Sequence, residues 1–398
     1  MDPRSRSLSR SLHAVRYAPA LFLGLLALAG SSKVAGAPPA TLAKEAQGKW
    51  SAGETARTNR QWIECIENFS DVVQLDPRSL DAQLNLGYCQ SQLGQWKDAA
   101  KTYEGALGLA SSDSVRAEIL NALAFAQGSA GDPTSALKTY EQLIRVRPAD
   151  KSALVGYAST LRDQGRPVDA VMAYERALEL DPNDVTLLRS FGDLCQKNEM
   201  VEQAVAVYER WGAIDSTNVE PYRHLGYLLA KGKACQRGVQ VYEKVIALDP
   251  SNPGDLLNLG ILYQSCDLSE QAFQTLSRYR EQRPEDATAV DCRLAFLYED
   301  MGKVDEGLAV TQERAQKRPE DACLQYAWGR LLEKQGIEFE KKEKYGEAVA
   351  SYRQAEARLQ GGLGDEQWGK GATAELERLE KLIHRADGLK KKAEGGGQ

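Results

Sequence analysis

Histidine and methionine are scarce in this chain, with three His and four Met among 398 residues. His13 falls in a basic and apolar leader, so the remainder holds only His224 and His384, far apart in sequence. A multi-histidine metal centre within one chain is thereby excluded. H-E-x-x-H, C-x-x-C and G-x-S-x-G are absent. A Ser-His-Asp triad would have to recruit His224 or His384, and neither has a nucleophile elbow beside it. No catalytic residue, metal ligand or cofactor site is therefore assigned. Long hydrophobic runs are missing too. With 42% hydrophobic and 27% charged residues, the composition excludes wholesale disorder, a collagen-like fibre and a polytopic membrane protein.

The longest apolar stretch, Ala18 to Gly30, follows Arg4, Arg6, Arg10 and Arg16 and precedes small residues from Ser31 to Ala40. That order is a basic region, a short apolar core and a cleavage zone, so residues 1–40 are expected to be a secretory signal peptide and leader. Thirteen residues would span roughly 20 Å as a helix, short of the ~30 Å hydrocarbon core. An uncleaved N-terminal segment is the alternative and the one route to a membrane. Ala35-Gly36-Ala37 has the A-x-A form, with Pro38 and Pro39 directly behind it. Export places the protein in the periplasm or another extracytoplasmic compartment. Loss of residues 1–37 removes five basic groups and one acidic group and takes the net charge from −6 to −10. An acidic chain without a concentrated basic face is a poor partner for nucleic acid or anionic lipid. The run Lys390-Lys391-Lys392 reads as a solvated tail.

The rest is periodic. Leu75-Asp76-Pro77, Leu180-Asp181-Pro182 and Leu248-Asp249-Pro250 repeat one tripeptide. Pro77, Pro148, Pro182, Pro250, Pro284 and Pro319 fall at spacings of 71, 34, 68, 34 and 35 residues. Twelve residues before each later Pro stands a small residue: Ala136, Ala170, Gly238, Ala272 or Gly307. Ala99 and Ala204 hold the equivalent place where the Pro is missing. Four residues beyond the small residue a ring recurs, as Phe69, Tyr103, Tyr140, Tyr174, Tyr208, Tyr242 and Tyr352. Leu86-Gly87, Leu225-Gly226 and Leu259-Gly260 mark the first half of the unit, with Phe191-Gly192 and Trp328-Gly329 as variants. Small residues let two helices approach and the ring fills the gap beside them. Gly94, Gly131, Gly165 and Gly302 fall where the first helix ends, and Pro133 and Pro167 open the second.

A 34-residue period with this order of small residue, glycine, ring and proline resembles the tetratricopeptide repeat family. The resemblance implies an all-α fold, a right-handed superhelical solenoid of about nine repeats over residues 41–361. Ser111-Ser112-Asp113-Ser114 carries a three-residue insertion, and Gln335 to Tyr345 is about seven residues too long. Leu376, Leu379, Leu382, Ile383 and Ala386 share one face, so residues 362–390 are expected to form a linker and capping helix, and 391–398 a disordered tail.

Two patterns mislead. Gly364, Gly369 and Lys370 imitate a phosphate-binding loop, but Gly371 stands where Ser or Thr would hold magnesium and no strand precedes it. The sequon Asn68-Phe69-Ser70 sits on a helix with Phe69 at the ring position, which disfavours a glycan there. Seven cysteines follow the leader, and each is either a small buried hydrophobe or half of a bridge. The pairs Cys65 with Cys89, Cys235 with Cys266 and Cys292 with Cys323 join neighbouring units and are candidate disulfides in an oxidising compartment, leaving Cys195 over.

In proteins of the resembled family the first helix of each unit lines a concave groove. The corresponding positions are Asn85, Tyr88, Arg189, Asp193, Arg223, His224, Tyr227, Asn258 and Arg330. These are the candidate contacts for a partner peptide or helix, and no small-molecule substrate is indicated. The family's Lys/Asn clamp for chaperone C-termini is not reproduced, since Trp50 and Glu54 occupy its first two positions. The expected function is a non-enzymatic protein-binding scaffold of the cell envelope. The alternative is a structural subunit or assembly factor of an envelope complex for secretion, polysaccharide export or outer-membrane biogenesis; a hydrolase is the least supported class.

Overall fold

The computed structural model of the chain describes residues 44–361, 363–365 and 368–395. The expected signal peptide and residues 396–398 of the expected tail lie outside the described residues. Nineteen α-helices, one 3₁₀ turn at Pro284–Asp286 and no strand make up the secondary structure of the described residues.

The chain divides after Asp215 into two compact units. The N-terminal unit holds five helix pairs: α1 (Lys44–Thr58) with α2 (Trp62–Leu75), α3 (Leu80–Gln92) with α4 (Trp96–Leu107), α5 (Asp113–Ser129) with α6 (Pro133–Val146), α7 (Lys151–Asp163) with α8 (Pro167–Leu180), and α9 (Val185–Lys197) with α10 (Val201–Ile214). The C-terminal unit holds four pairs and a final helix: α11 (Glu220–Lys231) with α12 (Cys235–Leu248), α13 (Pro253–Ser265) with α14 (Ser269–Gln282), α15 (Ala287–Asp300) with α16 (Val304–Lys317), α17 (Ala322–Lys341) with α18 (Tyr345–Gln360), and α19 (Gly369–Gly395). Within each unit, every second helix packs on its own first helix and on the first helix of the following pair. This is an all-α repeat solenoid built from 34-residue helix pairs.

α8 shows why these residues make these elements. Pro167 opens it with a preset φ, and Asp169 sits in the first turn, where the helix dipole favours a negative charge. Ala170, Val171, Ala173, Tyr174, Ala177 and Leu178 form its buried stripe. Asp181 donates its N–H to the Ala177 carbonyl, and Pro182 stops the helix. Tyr174 is fully buried, a burial worth about 2–3 kcal/mol. Asp184 then caps α9 by accepting from the Leu187 N–H at 3.0 Å.

The turn inside each pair requires one left-handed residue. Gly94, Gly131, Gly165 and Gly302 supply it at φ of 77, 84, 70 and 70°. In the other five pairs the same turn places Arg60, Glu199, Lys233, Asp267 and Glu343 at φ of 55–60°. Glycine at this position is therefore sufficient and not necessary. Helix packing fixes the turn and imposes the conformation on whatever residue stands there.

The ring position works as the repeat pattern suggests. A Cβ at Gly192 would lie 2.6 Å from the Tyr208 ring, and one at Gly87 would lie 2.7 Å from Tyr103. The missing side chain is what admits the ring. Ala99, Ala136, Ala170, Ala204 and Ala272 are all fully buried at the helix crossing.

At the C-terminal end α17 runs for 20 residues, which absorbs the extra length noted at Gln335 to Tyr345. α19 lays the buried residues Ala372, Leu379 and Ala386 against α17 and α18. It continues to Gly395, past the end expected for the capping helix, so residues 391–395 are helical. Lys390, Lys391 and Lys392 lie near its C-terminus, where cations oppose the negative end of the helix dipole. Gly369 and Lys370 are the first residues of this helix.

Candidate functional site

The nine candidate groove residues all stand on first helices, but their surroundings divide them. In the N-terminal unit Asn85 is fully buried on α3; its Nδ2 donates to the Asp81 carbonyl at 3.1 Å, and its Oδ1 has no hydrogen-bond partner. Tyr88 is half-buried and packs edge-on against Trp62, centroids 6.1 Å apart. Arg189 is exposed on α9. Asp193 accepts from the Tyr208 hydroxyl at 3.0 Å, so it orients the ring of its own pair. Trp50 is buried edge-on against Phe69, centroids 5.4 Å apart, and Glu54 pairs with Arg57 at 2.8 Å. The clamp positions are thus occupied by packing and by an internal ion pair.

In the C-terminal unit Arg223 is the centre of an ion network. It reaches Glu220 at 3.0 Å, Asp249 at 2.5 Å and Asp255 at 2.8 Å. Burial opposes its charge, but the hydrogen bonds to Asp255 and Asp249 outweigh that and hold it more firmly protonated than an ordinary arginine. Asp255 is pushed up by burial, partly offset by Arg223. Lys151 of the N-terminal unit plays the same part, reaching Asp181 at 2.7 Å and Asp184 at 2.8 Å. Asp181 and Asp249 are the central residues of two Leu-Asp-Pro tripeptides, so this tripeptide is also an acceptor for a cation on the first helix of its pair. Arg330 lies between Glu299 at 2.5 Å and Glu375 at 2.7 Å, tying α17 to α15 and to α19. Arg223, Asp193 and Arg330 are therefore engaged in holding the fold.

His224 and Tyr227 stand half-buried on α11, and Asn258 stands half-buried on α13, the neighbouring first helix of the same unit. These three are brought onto adjacent helices. Asn85 and Tyr88 on α3 are separated from Arg189 on α9 by two further pairs.

Cys65 is bonded to Cys89, Cys235 to Cys266 and Cys292 to Cys323, with Cα–Cα distances of 6.1, 5.8 and 5.8 Å. Each bond joins one pair to the next. Cys195 is buried and unbonded, and burial pushes its thiol up to about 12, which removes it as a nucleophile. Among the described residues no group of His, Cys, Asp and Glu could hold a metal ion, and no helix is long and apolar enough to cross a membrane.

Two openings between second helices escape a reading of the sequence. The first, about 530 Å³, lies between α8 and α10 over α9 and is lined by Leu178, Leu188, Phe191 and Val207, with Glu179 and Arg210. The second, about 130 Å³, occupies the equivalent place between α14 and α16.

Residues 51–114 and 121–185 match the tetratricopeptide repeat family. No curated protein matches the chain. Among solved structures, the C-terminal part of a tetratricopeptide repeat-containing protein from Cytophaga hutchinsonii is similar at 13% identity and a TM-score of 0.51, over 59% of this chain and 95% of that one. A tetratricopeptide repeat protein from Parabacteroides merdae is similar at 18% identity and a TM-score of 0.39, over 68% of this chain and 98% of that one. YrrB, described as a tetratricopeptide repeat protein with an unusual peptide-binding site, is similar at 18% identity and a TM-score of 0.39, over 47% of this chain and 95% of that one. The matched residues and the Cytophaga structure agree with the helix pairing above, and the fold is an all-α tetratricopeptide-type repeat solenoid.

Proposed function

We propose that the protein is an exported, non-enzymatic scaffold that binds a partner peptide or helix along the first helices of its repeats. The observation that carries this reading is the placement of Tyr227 on α11 and Asn258 on α13, each half-exposed on adjacent first helices, while the Arg223 network holds those helices in register. A tyrosine offers a large, stiff contact at low entropic cost, and a carboxamide on the neighbouring helix can bond a peptide backbone. Export is supported by the basic and apolar leader and by three disulfides, which persist in oxidising compartments. Affinity capture from the source organism tests the site. Tyr227→Ala is expected to lose the partner while keeping its helical circular dichroism; undiminished capture would remove this face from consideration.

A second reading has its own observation. Val168 and Met172 lie one turn apart on α8 and are 64% and 54% exposed. Apolar side chains grouped on a second helix favour a structural subunit of an envelope assembly, docked through its outer helices. Capture of one stoichiometric multi-subunit complex, lost in Met172→Lys and kept in Tyr227→Ala, is the result expected of that role.

A further inference from the structure

The two openings between second helices share a position and differ in chemistry. Counted from the small residue of each second helix, the position eight residues on is Ile144, Leu178 or Ile246. The next first helix brings Leu154, Leu188 or Leu256 to the same layer, and the next second helix adds Ala177, Trp211 or Tyr279. Leu154, Leu188 and Leu256 are buried, as this core layer requires. One repeat later, where the chain carries one extra residue before its first helix and the register is counted back 11 residues from the left-handed turn at Gly302, the three equivalent residues are Arg280, Asp291 and Arg314. A hydrophobic layer has been replaced by charge.

Asp291 is only 1% exposed. Its Oδ1 accepts from Arg280 Nε at 2.6 Å and from Arg314 Nη1 at 2.9 Å, and its Oδ2 pairs with Arg318 Nη2. Burying a carboxylate is costly, and one well-placed guanidinium would offset much of that cost. Three guanidiniums share this one carboxylate. Arg318 has a further acid, Asp321, at 3.7 Å, and Glu313, which feels the charges of Arg280 and Arg314, is itself bonded to Lys317 at 2.6 Å, so Asp291 is the one acid to which both Arg280 and Arg314 are bonded. Burial, and then repulsion from Arg280 and Arg318, pulls Arg314 below the ordinary arginine value in spite of Asp291.

These same two arginines line the 130 Å³ pocket, together with Ser277, Glu281, Phe273 and Tyr298. Phe273 and Tyr298 meet edge-on with centroids 4.8 Å apart, giving the lining an apolar part beside its two arginines. We propose that this pocket receives the carboxylate of an acidic side chain from a partner polypeptide, held by Arg280 and Arg314, with the methylene stem against Phe273 and Tyr298. Guanidinium groups match a carboxylate in a planar, bidentate fashion. Glu281, an exposed member of the lining, selects a monoanion, because a phosphate dianion would meet more repulsion there.

The inference rests on the protein-binding reading only for the occupant being a polypeptide. Its pocket lies between second helices, so Tyr227→Ala, which tests the first-helix face, is expected to leave it intact.

The test follows the arginine Nε–Hε resonances of the full chain by nitrogen-15 NMR while N-acetyl-Gly-Glu-Glu-Gly-amide is added. Saturable shifts at Arg280 and Arg314 are expected, with none from the peptide carrying Gln in place of Glu. Glu281→Gln, which removes an exposed like charge, should tighten binding about two- to fivefold. A single arginine variant would leave the other arginine in the pocket and two guanidiniums on Asp291, so the control is the triple substitution Arg280→Leu, Asp291→Leu and Arg314→Trp, which restores the layer built elsewhere by Leu178, Leu188 and Trp211. It should fold and not bind, read by fluorescence from a dye-labelled form of the same peptide. Equal shifts from the Gln peptide, undiminished binding by the triple variant, or tighter binding of inorganic phosphate than of the Glu peptide would each overturn the proposal.

Discussion

Arg223 Nη2 lies 2.5 Å from Asp249 Oδ2, and the same guanidinium reaches Asp255 at 2.8 Å on the first helix of the following pair. One side chain thus bolts two repeats together. Asp255 is 5% exposed and depends on Arg223 for its compensation. Arg223→Ala is expected to lower the unfolding free energy by about 2–3 kcal/mol, below the 3–5 kcal/mol of a fully buried pair because Arg223 itself is partly solvated. Urea denaturation with an unchanged m-value checks it. A loss below about 0.5 kcal/mol would show that the network is ornamental.

The Lys151 tie predicts a pH window. Hydrogen bonds to Asp181 and Asp184 raise Lys151 above its ordinary 10.5. Its contribution is therefore complete below 10.5 and is lost as pH rises through the higher folded value. For Asp184, burial acts upward, but the bonds from Lys151 and the Leu187 N–H prevail and lower it below 3.8. That contribution is present above 3.8 and disappears as pH falls through the lower folded value. Thermal melts of Lys151→Met against the parent should differ between about pH 4 and 10.5 and converge towards both extremes. A difference independent of pH would mean that Lys151 acts through its aliphatic stem alone.

Two glycines on first helices should respond oppositely to the same methyl group. A Cβ at Gly192 would stand 2.6 Å from Tyr208, so Gly192→Ala should cost about 1–3 kcal/mol. Gly48 lies on an exposed part of α1 with nothing within 4 Å of a Cβ, and Gly48→Ala should add about 0.5–1 kcal/mol. Chemical denaturation of both variants gives the sign directly.

Denatured, unreduced protein should titrate with one thiol, that of Cys195. The bridges span 24, 31 and 31 residues, and each should lose about 3–4 kcal/mol on reduction by the chain-entropy argument. Seven free thiols in protein recovered from its native compartment would contradict both the bonds and the proposed export.

The helical repeat was legible in the sequence because its causes are local. A proline that closes a helix, an Asp184 that caps the next and a Gly192 that admits the ring of Tyr208 on the partner helix each act within one 34-residue unit. The left-handed turn was legible only in part. Gly94, Gly131, Gly165 and Gly302 announced it, whereas Arg60 and Lys233 adopt the same φ because packing of the helix pair compels it.

What the sequence by itself determined is the period, the pairing of helices, their caps and the small residues at their crossings. Only the tertiary structure decided what each polar side chain on those helices meets. Arg223 and Arg330 looked like groove residues, yet their partners Asp255, Glu299 and Glu375 stand about one repeat or more away in the chain and come within reach only when repeats stack. Asp291 was likewise silent, since its register marks a core layer and its charge marks a surface. Stacking resolved the conflict by closing three arginines around it, because a carboxylate withdrawn from water must find its compensation in whatever the neighbouring repeats present.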